Sequence, residues 1–128
     1  MKKNLRLTII LAAFVIIFAC VGAASAQIDE PMAGGFSKAS TTDKEVMAAA
    51  RYAVKTQAKK QSATIRLVSI NRAETQVVAG RNYRLCLKVQ ITAKGKKTKT
   101  SKIIQTVVFQ NLKQKLSLTS WETGECGS

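Results

Sequence analysis

The sequence predicts an α+β fold in which one amphipathic helix lies across the apolar face of an antiparallel sheet of four to five strands. Two observations carry this expectation. Apolar residues after Thr42 recur at three- and four-residue intervals, whereas the chain after Ser62 is rich in β-branched residues that alternate with polar ones between short turns. A one-sided helix and a one-sided sheet each leave an apolar surface, and packing one on the other buries both.

The first 26 residues are read as an export signal and set aside. Lys2, Lys3 and Arg6 form a positive start, Leu7 to Val21 is a nearly unbroken apolar run, and Ala24-Ser25-Ala26 supplies a small-residue cleavage site. An uncleaved membrane anchor is the first alternative, and the short run and small-residue exit argue against it. A lipoprotein signal on Cys20 is the second, and the bulky Phe18 argues against that. Cleavage near Ala26 leaves Gln27 to Ser128 as one domain, secreted or periplasmic, with no membrane association after the signal is lost.

The mature terminus from Gln27 to Ser40 is polar, with the single proline Pro31 and the pair Gly34-Gly35, and is expected to be flexible. Thr42-Asp43-Lys44-Glu45 has the spacing of a capping box with Thr42 as the cap. Val46, Met47, Ala50, Ala53, Val54 and Ala58 then form the apolar stripe of a helix over residues 43–61. Ile65, Leu67, Val68 and Ile70 mark a strand whose apolar phase shifts between Leu67 and Val68, as at a bulge. Arg81 to Thr92 alternates most cleanly, with Tyr83, Leu85, Leu87, Val89 and Ile91 on one face. Ile103 to Phe109 and Leu116 to Trp121 are the last two strands, and short turns make neighbours antiparallel.

Composition excludes several function classes. The whole chain carries a formal charge of +14, which falls to +11 without Lys2, Lys3 and Arg6. The dense basic run from Lys94 to Lys102 has no interleaved aromatics, so it reads as a solvated hairpin turn and no nucleic-acid partner is expected. The chain has no histidine. That removes Ser-His and Cys-His nucleophilic pairs, and scattered carboxylates supply no metal cluster, so neither an enzyme, a metal nor a cofactor is expected. Once Cys20 leaves with the signal, Cys86 and Cys126 are an even pair in an exported protein and are expected to be bonded.

The segment Gln76-Val77-Val78-Ala79-Gly80 is a hairpin tip of apolar and small residues, where turns facing water normally carry polar ones. Two valines at strand ends with Ala79-Gly80 alone as the turn is the plainer alternative. The sequence here resembles the cystatin family, whose first hairpin carries Gln-X-Val-X-Gly, matched by Gln76, Val78 and Gly80. Gly34-Gly35 ahead of the helix, Asn82-Tyr83 after the hairpin and the order of elements extend the resemblance over roughly Ala33 to Trp121.

The resemblance implies a sheet wrapped around the helix and a reversible, tight-binding inhibitor of papain-like, cathepsin-type cysteine proteases. In that reading Met32, Ala33, Gly34 and Gly35 lie along the unprimed side of the cleft, Gln76 to Gly80 fill its centre, and the loop with Asn111 and Leu112 reaches the primed side. Members usually carry Pro-Trp in that loop, whereas this chain has Phe109-Gln110-Asn111-Leu112, so Leu112 is the apolar substitute. The asparagine by which some members inhibit legumain is missing from Gln61-Ser62-Ala63-Thr64. A bond from Cys86, on the wet face of its strand, to Cys126 folds the tail over that face and packs Trp121 against the bridge. The second reading is a non-inhibitory cationic binding or host-defence protein on the same fold, and either form is expected as a monomer.

Overall fold

The computed structural model describes residues 34–127. The expected export signal, its cleavage site, and Met32 and Ala33 lie outside them. The elements are β1 (Ser37–Lys38), α1 (Lys44–Gln61), β2 (Ala63–Val78), β3 (Gly80–Ala93), β4 (Lys99–Gln110) and β5 (Leu116–Thr123). The strands form one antiparallel sheet in the order β1-β2-β3-β4-β5, with α1 across one face. No helix among the described residues is long and apolar enough to cross a membrane.

The helix begins one residue later than its capping pattern suggests. Asp43 is the cap, its Oδ1 accepting from the amides of Glu45 at 2.7 Å and Val46 at 3.3 Å, a contact that contributes about 1 kcal/mol to helices of this kind. Thr42 is instead held in a preceding turn by Ser40, whose hydroxyl lies 2.9 Å from its own. Glu45, free of the capping role, turns outward to β3. At the other end Ser62 adopts a left-handed conformation and its amide bonds back to Ala58 and Lys59, so α1 passes directly into β2.

Small residues set how closely α1 approaches the sheet. Ala49, Ala50 and Ala53 are fully buried and face Tyr83, Leu85, Leu87 and Val89 of β3, with Ile104 and Val108 of β4 completing the core. The expected bulge in β2 is present: the register skips Val68, leaving it exposed, and a second, unanticipated shift at Asn71 restores the phase so that Ala73 is buried. A further shift between Val107 and Val108 lets β5 keep Leu116, Leu118 and Trp121 all against the core. Trp121 therefore packs on the helix side, in the row of Thr106, and not on the disulfide as expected from unbroken alternation. The basic turn is also shorter than expected, because β4 extends back to Lys99.

The face away from the helix is closed by the C-terminal tail. Cys86 and Cys126 are bonded, Cα atoms 5.7 Å apart and 40 residues apart in sequence, a cross-link of a length that contributes about 4 kcal/mol through the unfolded chain. The tail covers Cys86 so that it is buried, not wet. The Nη1 of Arg72 donates to the carbonyl of Gly127 and the Nε2 of Gln105 donates to that of Glu125, pinning the tail on both sides of the bridge. Residues 37–38, expected to be flexible, pair as β1 with Glu74 and Thr75. Phe36 helps hold them there, its ring 4.0 Å beneath the Arg84 guanidinium.

Glu74 joins these features. It accepts from Arg84 Nε at 2.7 Å and from Arg72 Nη2 at 3.0 Å. The Arg84 hydrogen bond, aided by the charges of both arginines, holds its carboxyl below the ordinary 4.5 although partial burial pushes the other way. A depressed folded value means that the stabilisation is present above the unfolded value and is lost as pH falls through the folded one. Glu74→Gln should therefore lower the melting temperature at pH 7, and the gap to wild type should narrow as pH falls below the ordinary carboxylate range and Glu74 is protonated. Thermal unfolding followed by circular dichroism across pH 2–7 checks this, and a gap that stays constant through the acid range contradicts it.

Candidate functional site

The topology carries the β2–β3 turn and the β4–β5 turn to one edge of the sheet, because Arg81 at the start of β3 pairs with Gln110 at the end of β4. The N-terminal segment joins them, since the β1 register with Thr75 leads Gly34 and Gly35 past the end of β2. Gln76 to Gly80, Asn111 to Lys115 and Gly34-Gly35 are thus brought together, and the Lys94–Thr98 turn lies at the opposite end.

The first hairpin is tighter than a five-residue tip. Val77 and Val78 are the last residues of β2, paired with Arg81 and Gly80, so Ala79 alone makes the turn. Their side chains nonetheless stand in solvent, Val77 69% exposed and Val78 40%. Among the described residues the large apolar ones so exposed are Val68, Val77, Val78 and Leu112, and all but Val68 lie on this edge. A clustering of that kind marks a surface built for contact.

Gly80 is required twice over. Its φ of +118° is open only to glycine, and a Cβ there would collide with the Gln110 carbonyl and sit 2.9 Å from the Phe109 ring. The first hairpin can therefore lie flat against the base of the second only with glycine at this position.

Gln76 acts on the terminus. Its Nε2 donates to the carbonyl of Gly34, while its Oε1 accepts from Asn82 Nδ2 at 2.9 Å across the hairpin register. Gly34 has φ +98°. The glutamine amide is satisfied at both ends, and the segment ahead of β1 is tied to the hairpin. Sequence reasoning did not assign Asn82 this part, although its position opposite Gln76 follows from any hairpin closed at Ala79.

The second loop organises itself around Asn111. Its Oδ1 accepts from the amides of Lys113 at 3.0 Å and Lys115 at 2.9 Å, and its backbone amide donates to the Lys115 carbonyl. Asn111 is half-buried and structural, and Leu112 stands at the tip, 82% exposed. Beneath the two turns, Glu45 accepts from Arg81, and the Tyr83 hydroxyl lies 3.1 Å from Glu45 Oε2 and 3.0 Å from Gln110 Oε1. Burial raises the Tyr83 pKa above 10.0, so the phenol stays protonated and donates its single hydrogen to one or the other of these two acceptors. This set anchors α1 to both hairpins; the sequence marks Glu45 as part of a capping box and Tyr83 as a strand residue, and assigns neither this contact. A shallow pocket of about 240 Å³ beside the disulfide is lined by Arg72, Glu74 and Arg84, which are already paired to one another.

The edge holds no chemistry of its own. Among the described residues no group of three or more His, Cys, Asp or Glu side chains could hold a metal, and the two cysteines are bonded to each other. What it offers is a rigid apolar ridge with backbone at its crest.

Comparison with known proteins agrees with this architecture. Residues 39–123 match the family described as SQAPI, aspartic acid proteinase inhibitor, a span that includes both hairpins and excludes Gly34-Gly35 and Cys126. The chain is 29% identical over 126 residues to salivary cystatin-L2 of Ixodes scapularis, covering 86% of this chain and 93% of that protein. The salivary cystatin of the soft tick Ornithodoros moubata superimposes with a TM-score of 0.59 at 20% identity, over 72% of this chain and 98% of that one. The structure of Al-CPI gives 0.57 at 21% identity, over 71% and 100%.

Replacing Gly80 by Ala should destabilise the protein by about 2 kcal/mol or more, from the unfavourable φ together with the collision at Gln110. Chemical denaturation of the two proteins measures it. A loss under about 0.5 kcal/mol, within the range of ordinary surface changes, would show that the hairpins do not rest on each other there.

Proposed function

We propose that this chain, which belongs to the proteinase-inhibitor family described as SQAPI and has the cystatin fold, is a reversible inhibitor of papain-like cysteine proteases that plugs their active-site cleft. The observation that supports this most is the edge itself. Three segments distant in sequence meet there, and the exposed apolar side chains Val77, Val78 and Leu112 project from it. In this reading the first hairpin fills the centre of the cleft with Val77, Val78 and Ala79. Gly34 and Gly35, following Met32 and Ala33, run along the unprimed side, and Leu112 serves the primed side in place of the usual Pro-Trp.

The mechanism is occlusion. The first hairpin is narrow and uncharged at its tip, and the ridge is held by hydrogen bonds that exist before binding, so little conformational entropy is lost on association. The Gln76 bridge extends this economy to the terminus, which otherwise would have to be ordered by the protease. Close passage of glycine backbone beside a catalytic thiol presents no side chain to seat a scissile bond. The protein is secreted or periplasmic in this account, acts as a monomer, and needs neither cofactor nor metal.

The family description favours a second reading, inhibition of aspartic proteinases. The same ridge could be used by a protease of that class, and the lack of Pro-Trp in the second loop removes one contact typical of cysteine-protease inhibitors. A cationic binding protein without inhibitory action is the third reading, carried by the charge of +11 left when Lys2, Lys3 and Arg6 go with the signal and by the basic turn from Lys94 to Lys102.

Titration of the refolded chain Gln27–Ser128 against papain and against pepsin, at two salt concentrations, separates the three. Stoichiometric inhibition of papain alone, unchanged by salt, is the expected outcome. Inhibition of pepsin alone would move the assignment to the aspartic class, and no inhibition of either would leave the cationic reading. Val78→Asp should weaken papain inhibition by about 30-fold or more, the loss typical of a central interface residue. An unchanged inhibition constant for that variant would remove the hairpin from the contact.

A further inference from the structure

We infer that the groove between α1 and β2, at the pole opposite the apolar ridge, binds a linear sulfated polysaccharide. The groove uses none of the residues on the ridge, and its ligand is independent of the protease assignment.

The groove has a volume of about 880 Å³ and is open along its length. Its floor is aliphatic, made by Val54 and Ala58 of α1 and Ile65 and Leu67 of β2. Its rim is basic. On the helix side Arg51, Lys55 and Lys59 succeed one another every four residues, a row with steps of about 6 Å, and line the groove along its length. Facing the end of that row stands Lys94 of the β3–β4 turn, whereas Arg66 borders the groove with its backbone, since alternation with Ile65 and Leu67 turns its side chain to the far face of the sheet. The turn that looked from sequence like an isolated solvated run is therefore one end of a larger basic surface, and Lys96, Lys97 and Lys99 continue it beyond the groove.

Among the described residues no acidic side chain lies at this pole. The acidic residues among them are Asp43 and Glu45 near the ridge, Glu74 and Glu122 on strands whose side chains lie away from the groove, and Glu125 in the tail. None of Arg51, Lys55, Lys59 and Lys94 takes part in a salt bridge within the described residues. Lys59, in the last turn of α1, gains from the negative end of the helix dipole, but Arg51, Lys55 and Lys94 have no such local compensation. Such a field concentrates anions at its surface.

The shape and chemistry decide between anions. Four cations along the rim call for a ligand with several charges, so a fatty acid or single lipid headgroup leaves most of them unpaired. A concave groove does not mate with a flat bilayer. No aromatic side chain lines it, which removes the stacking platforms on which single-stranded nucleic acid depends. A sulfated glycan matches both features at once: pyranose C–H faces lie on the aliphatic floor while sulfates on the ring edges reach the helix row and Lys94. About 35 Å of β2 separates Leu67 from Val78, so a glycan-bound chain keeps its ridge free.

The test is a calorimetric titration of the chain Gln27–Ser128 with a heparin-derived hexasaccharide at about 0.15 M salt, where long-range attraction is largely screened. Arg51→Gln/Lys55→Gln removes cations from the start of the helix row, and Lys59→Gln/Lys94→Gln from its end and from the turn facing it. Lys38→Gln/Lys88→Gln makes the same charge change on exposed strand residues away from the groove. Each groove variant should lose about tenfold in affinity and the control less than about twofold. Equal losses in all three, no binding by wild type, or equally tight binding of a single-stranded DNA of matched charge would each overturn the proposal. Because the readout is glycan affinity, its failure leaves the protease reading untouched, and failure to inhibit a protease leaves this one standing.

Discussion

The structure depends on how closely one helix can lie on one sheet. Ala49, Ala50 and Ala53 present almost no side chain on the buried face of α1, and the bulk is supplied from below by Tyr83, Leu85 and Leu87. Interiors are packed to crystal-like density, so that division of small above and large below fixes both the spacing and the position of the helix along the sheet. Glu45 in its first turn is thereby delivered to Arg81 and Tyr83, and Tyr83 in turn reaches Gln110 at the base of the second loop. The two hairpins are aligned by a chain of contacts that begins in the alanine face.

The opposite face of the sheet solves a different problem. A sheet covered on one side by a single helix leaves its other side wet, and this chain closes that side with its own tail. The Cys86–Cys126 bond, the Arg72 and Gln105 contacts to tail carbonyls, and the Phe36–Arg84–Glu74 array tie β1, β2, β3 and the C-terminus into one unit. The terminal segment is thus supported at two points, by Phe36 on Arg84 and by Gly34 on Gln76. Stabilisation on this face and exposed apolar surface on the ridge are spatially separate, so the ridge can remain unfavourable in water without endangering the fold.

Much of this was legible in the sequence where a single period dominates. The α1 stripe and the alternation of β3 predicted their elements within a residue or two, and the phase slip after Leu67 predicted a bulge at Val68. The misses have local causes. Thr42 and Asp43 are both competent caps, and only the turn made by Ser40 decides between them. Residues 37–38 have no strand signal of their own, because their order comes from pairing with β2 and from Phe36 on Arg84. Trp121 was assigned to the wrong face because the register shift in the β4–β5 ladder reverses the parity of everything after it. Of the site, Gln76, Val78 and Gly80 were visible as a motif, yet the reason for two of them was not: Gly80 answers to Gln110, thirty residues away, and Gln76 to Gly34, forty-two residues away.

The family description names aspartic proteinases, the proposed targets are cysteine proteases, and a ridge of backbone and small apolar groups is compatible with either. The central claim is that the ridge, and no other surface, meets the protease. Hydrogen exchange of the chain Gln27–Ser128, free and saturated with papain, reads that surface amide by amide. Slowed exchange is expected at Gly34-Gly35, Val77 to Gly80 and Leu112 to Gln114, with the α1–β2 groove unchanged. Protection confined to the groove or to the basic turn, with the ridge exchanging as in the free protein, would contradict the claim.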